Sequence, residues 1–107
     1  MSSPTSRFDE DDALAACNSL NEFLHGLTDN PHRPMPPGTR SEFLELLSRI
    51  SKDEASIDWT PKDRELSGYA IRIVLAEIDD EEMHARIGLY RHEIEATHEK
   101  LTGSRPE

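Results

Sequence analysis

Apolar side chains recur along this chain in blocks, and the spacing inside each block predicts helix. Leu14, Cys17, Leu20, Leu24 and Leu27 fall at steps of three and four, so a first helix is expected over about 9–27. Phe43, Leu44, Leu46, Leu47 and Ile50 make a broad face on a second, with Glu45 and Arg49 placed to pair at i,i+4 on its other side. From Tyr69 to Ile78 only Arg72 and Glu77 are polar, so a third segment is hydrophobic nearly all round and belongs at the centre of the core. Its β-branched content also suits a buried strand, but no second strand candidate exists to pair with it.

Polar punctuation sets the boundaries. The run Asp9 to Asp12 puts carboxylates at the positive end of the first helix, and Gly26 with Asn30-Pro31 ends it. Pro31, Pro34, Pro36 and Pro37 make 30–38 an extended linker, read as a stiff connector between helices rather than a polyproline ligand for an aromatic groove. Thr39-Arg40-Ser41-Glu42 matches a capping box and starts the second helix near Arg40, to end around Ser51 to Glu54. Thr60-Pro61-Lys62-Asp63 joins a hydroxyl cap, proline at the first helical position and an acid at the third, so the third helix begins at Pro61. Trp59, beside Ile57, is either a hydrophobic staple on that helix or an aromatic anchor for a partner.

Beyond Ile78 the apolar pattern narrows. Met83, Ile87, Tyr90, Ile94, Thr97 and Leu101 form a seam of about two residues per heptad, which suits a partner helix. Asp79 with Glu82 can cap a new helix after a bend; the favoured reading is one continuous or gently kinked helix from Pro61 to Thr102, about 63 Å long. The fold class expected is all-α: one domain over 1–107 with three helices, or four if the last segment breaks at Asp79-Asp80. Its polar ends, 1–7 and 102–107, are expected to fray.

Composition narrows the functional classes. The 107 residues carry 22 acidic and 12 basic side chains, a net charge of -10, and 35% hydrophobic residues. Such charge repels phosphate backbones, so no direct nucleic-acid binding is expected, although dense acidic clusters can imitate phosphate. No apolar run is long enough for a membrane span or secretion signal, which points to a cytoplasmic protein. The single Cys17 excludes an internal disulfide framework and cysteine-pair zinc sites. Nine arginines against three lysines suggest a GC-rich bacterial or phage genome.

The sharpest chemical feature is a repeated Glu-x-x-His: Glu81 with His84, and Glu95 with His98. Each half resembles the Glu-x-x-His element of ferritin-like di-iron proteins, which implies an iron or zinc site completed by carboxylates from neighbouring helices. On one helix the two pairs lie roughly 21 Å apart, so only an antiparallel dimer brings them together. Gly88 shares their side and would allow close approach, whereas Arg91 among the ligands opposes a metal. The favoured alternative is a row of exposed charges beside the seam, with no cofactor. His25, His32 and His92 are read as surface histidines. Neither the serines nor the glycines form a catalytic or phosphate-binding arrangement.

These readings favour a small acidic, non-catalytic interaction protein of antitoxin, inhibitor or adaptor type. It is expected to be a homodimer through 80–101 that binds a basic protein through Trp59, Met83, Ile87, Tyr90, Ile94 and Leu101. Ile87→Asp is then expected to dissociate the dimer with helix content intact. The runner-up is a metal-binding helical dimer using Glu81, His84, Glu95 and His98.

Overall fold

A computed structural model describes residues 10–27, 30–52 and 59–103, and these are all-helical. Helix α1 (Glu10–Asn21) runs directly into a π-turn (Glu22–Gly26), and α2 (Arg40–Lys52), α3 (Pro61–Glu77), α4 (Asp80–Ile87) and α5 (Arg91–Thr102) follow. Asp9, Ile57 and the termini at 1–7 and 104–107 lie outside the described residues.

Two of the caps read from the sequence form as expected, whereas Asp79 precedes α4 without a side-chain cap bond. The Thr39 hydroxyl accepts from the Glu42 amide at 3.2 Å, and the Glu42 carboxylate accepts from the Thr39 amide at 2.8 Å. At α3 the Thr60 hydroxyl accepts from the Asp63 amide, and Asp63 accepts from the Thr60 amide, both at 3.1 Å. Two boxes therefore satisfy amides that a helix start leaves without partners. Thr102, expected to fray, closes α5, and Gly103 follows it at φ 76°, the left-handed stop that glycine permits.

Helix α3 is the axle. Its first half joins α1 and α2 around Leu20, Phe43, Leu46, Ile50 and Leu66. Its second half joins α4 and α5 around Ile71, Val74, Ile78, Met83, Ile87 and Ile94. Trp59 is half-buried against both clusters. The 30–38 connector is strapped to α3: Tyr69 donates to the Pro34 carbonyl at 2.7 Å, and Arg33 grips Glu77 at 2.6 and 2.7 Å.

Several expectations need correction. The buried face of α1 is Ala13, Ala16, Leu20 and Leu24, while Leu14 is exposed, because α1 is covered by α2, α3 and α5 together. Arg49 does not turn to Glu45; it reaches across to α3 and holds Asp63 at 2.6 and 3.2 Å.

The continuous helix over 61–102 is overturned. The chain breaks after Glu77, where Ile78 is extended, and again at Gly88, whose φ of 85° is left-handed. Arg91 holds the first break together by donating to the carbonyls of Leu75 at 2.8 Å and Ile78 at 3.1 Å and pairing with Asp80. The breaks fold α4 and α5 back on the body, so the longest extent is 43 Å and the radius of gyration is 12.9 Å, that of a compact single chain. The seam consequently faces inward: Met83, Ile87, Ile94, Thr97 and Leu101 are all buried within this chain. Among the seam residues Tyr90 alone is exposed.

Candidate functional site

The α4–α5 corner carries the residues that the sequence singles out, in an arrangement different from the one expected. Gly88 provides a left-handed turn rather than a close helix approach; a Cβ there would meet only Asn18 Nδ2, at 3.9 Å. Asn18 donates to the Ile87 carbonyl at 2.9 Å and so anchors the turn to α1. The Tyr90 amide then donates to the Glu93 carboxylate at 2.9 Å, which starts α5.

This turn leaves Tyr90 on the surface with its ring between neighbours. The His84 ring stacks on it at 4.4 Å and 18°, and the His92 ring lies at 5.9 Å and 6°. All three side chains are exposed. Stacking between neighbouring rings restricts side-chain rotamers, and such restriction lowers the entropic cost of using a side chain as a contact. In the sequence His92 reads as a surface histidine because it has no repeated spacing with acids that suggests a site. Both imidazoles reach Tyr90 across the turn at Gly88.

The charges around the corner are sorted by direction. Residues 79–100 hold seven acidic and three basic side chains. Each of the three cations is turned to its own chain: Arg86 to Glu22 and the Gly26 carbonyl, Arg91 to Asp80 and α3, and Lys100 to Asp12 at 2.6 Å. Asp79, Glu81 and Glu82 are exposed and Glu95 is half-exposed, and among the described residues none of these four belongs to an ion pair. The exposed side chains of α4 and α5 thus include unpaired carboxylates, and Tyr90 with its two imidazole neighbours stands at the turn between the helices.

The two Glu-x-x-His pairs now sit on different helices. Glu81 and His84 are exposed on α4, Glu95 is half-exposed on α5, and His98 is buried, with Nδ1 3.4 Å from the Thr102 hydroxyl. His84 is engaged with Tyr90. Among the described residues no group of three or more histidine, cysteine or acidic side chains is placed to hold a metal ion. The remaining sequence candidates, Met83, Ile87, Ile94 and Leu101, are core residues with no surface to offer a partner helix, and Trp59 packs on both clusters.

No helix among the described residues is long and apolar enough to cross a membrane. Comparison of the chain with protein-family models, with curated proteins and with solved structures gave no match.

Proposed function

We propose that this chain is a non-catalytic, protein-binding regulator whose α4–α5 face engages a basic partner protein, with Tyr90 as the central anchor. The observation that carries the reading is the sorting of charge at that face, where every cation of 79–100 is tied to its own chain, four carboxylates have no ion-pair partner among the described residues, and Tyr90 stands exposed at the turn between the two helices. Anionic surfaces of this kind steer association with cationic ones, and tyrosine is among the residues that most often supply interface energy.

A second copy of the chain is a poorer occupant. It would bring two anionic faces together, and like charges in an interface oppose association. The apolar seam that favoured a homodimer through 80–101 is already closed by α1 and α3.

Affinity capture from the native cell, run in parallel on the wild type, Tyr90→Ala and Glu81→Lys/Glu95→Lys, tests the reading. A basic protein should be retained by the wild type, released as salt rises, and held at least about 30-fold more weakly by Tyr90→Ala, the loss typical of an interface hot spot. A partner kept equally by both variants would overturn it, as would a self-associated species by sedimentation equilibrium that Tyr90→Ala leaves intact.

A further inference from the structure

A second feature lies on the opposite functional logic, a cation beside an apolar hollow in a chain that is strongly acidic overall. Where the π-turn meets the connector and the start of α2, a cleft of about 170 Å³ opens. Phe23, Phe43, Leu27 and Pro36 supply its apolar walls, and Arg33 and Arg40 supply its polar ones. None of its described lining side chains is acidic.

The π-turn shapes this hollow. The Leu27 amide donates to the Glu22 carbonyl at 3.0 Å, a five-residue step that re-aims Phe23 and Leu24 relative to a regular helix. Phe23 is then fixed by Phe43 at 5.1 Å and by Tyr69 edge-on at 5.6 Å, so the wall is rigid.

The two arginines differ in what they have left to give. Arg33 lies over the Phe23 ring at 5.6 Å and is bound bidentate by Glu77, so its charge is already matched. Arg40 is exposed, belongs to no ion pair among the described residues, and donates from Nη2 to the Leu24 carbonyl at 3.2 Å. That bond holds the guanidinium at the cleft and leaves other N–H donors for a ligand, since guanidinium has five. A planar guanidinium with free donors suits a carboxylate.

The volume sets the size of the rest of the ligand, because a cavity of about 150 Å³ accommodates a benzene ring. We propose that the cleft binds a small monocarboxylate whose apolar body is the size of one phenyl ring, seated against Phe23, Leu27 and Pro36 with its carboxylate on Arg40. The site is separate from the α4–α5 face, so either proposal can fail alone.

Amide NMR titration of the full chain tests it, with phenylacetate as the probe and phenylacetamide, acetate and 2-naphthylacetate as comparisons. Phenylacetate should bind with a Kd of about 1 mM, saturably shifting Leu24, Leu27, Arg40 and Phe43. The amide should bind about tenfold more weakly for want of the charge-assisted bond, and acetate and the naphthyl acid should be weaker still. Arg40→Gln should reduce phenylacetate to the level of the amide and leave the amide unchanged. Leu27→Trp, which fills the hollow, should abolish both with the circular dichroism spectrum preserved. Equal affinity for acid and amide, shifts that map away from the cleft, or an Arg40→Gln variant that still prefers the acid would each overturn the proposal.

Discussion

Asp63 is the most informative single position for the fold, because one buried carboxylate joins three pieces of chain. It accepts from both terminal nitrogens of Arg49 on α2 and from the amide of Thr60, while its own amide donates to the Thr60 hydroxyl. Asp63→Ala removes the Arg49 bonds and half of the capping box. Hydrogen bonds to charged groups contribute about 1.5–3 kcal/mol. The Arg49 side chain is 43% exposed, however, so solvent screening reduces that pair to about 1 kcal/mol. The lost cap adds about 1 kcal/mol. The expected cost is therefore about 2 kcal/mol, or roughly 8–16 °C in Tm for a domain of this size. Asp63→Asn keeps the shape and one acceptor and should cost about half as much. Urea unfolding followed by circular dichroism measures both, and a cost below about 0.5 kcal/mol for Asp63→Ala would show that the capping box and cross-helix pair do not hold the fold.

The same residue predicts a pH dependence with a definite sign. Burial pushes the Asp63 carboxyl up, but the Arg49 bonds and the Thr60 amide outweigh it and hold the pKa below the ordinary value. At Glu77 the Arg33 bond likewise lowers the pKa against an opposing effect of burial. A carboxylate whose folded pKa is depressed stabilises the fold above its unfolded value, near 4, and loses that contribution as pH falls through the folded value. Stability should hold steady from neutral pH to about 5 and then decline. In Asp63→Asn the decline should be shallower, so the gap between variant and wild type narrows below about pH 4. A gap that widens on acidification would contradict the assignment.

Other substitutions probe the corrected fold. Ile87→Asp places a charge in the core and should remove helix content itself, not merely change the mass, as circular dichroism and sedimentation together will show. Ser67→Ala deletes a fully buried hydroxyl with no hydrogen-bond partner among the described residues and should stabilise by about 1 kcal/mol in urea unfolding. Gly88→Ala meets only an ordinary contact with Asn18 but a left-handed backbone, so it should cost about 1–2 kcal/mol, and Gly88→Asn less; equal stability of all three would argue against the turn.

Helix starts and the central segment were legible because their causes are local. A hydroxyl and an acid three residues apart contain the whole physics of a capping box, and the apolar run from Tyr69 to Ile78 needs burial whatever surrounds it. The breaks within 61–102 were not legible in the same way. Periodicity through Met83, Ile87, Ile94 and Leu101 continues across Gly88, and the spacing of a seam does not say whether another chain or the same one covers it. What decides the matter is Arg91, which satisfies carbonyls 13 and 16 residues back and so makes a break after Glu77 tolerable. Arg49 is a parallel case, since its i−4 neighbour Glu45 was visible and its actual partner, Asp63, belongs to another helix.

The net charge of -10 takes on a different meaning once the cations are placed. In 79–100 no basic side chain contributes to the outer surface as a free charge, because Arg86, Arg91 and Lys100 each lock α4 or α5 to another part of the body. Using the cations as internal ties leaves Asp79, Glu81, Glu82 and Glu95 without an ion pair among the described residues, so the anionic face is a direct consequence of how the fold is held. Reversing one tie makes the connection testable. Lys100→Glu sets a carboxylate against the buried Asp12, which Thr97 also contacts at 2.7 Å, and it should destabilise the α1–α5 contact by about 3 kcal/mol or more. Lys100→Met removes the charge but keeps the apolar stem, and should cost less while making the face still more anionic. If partner capture depends on the face, Lys100→Met at a temperature where it remains folded should bind at least as tightly as the wild type and show a steeper loss with salt. Weaker binding by that folded variant would separate the charge from the function and sink the proposed role of the face.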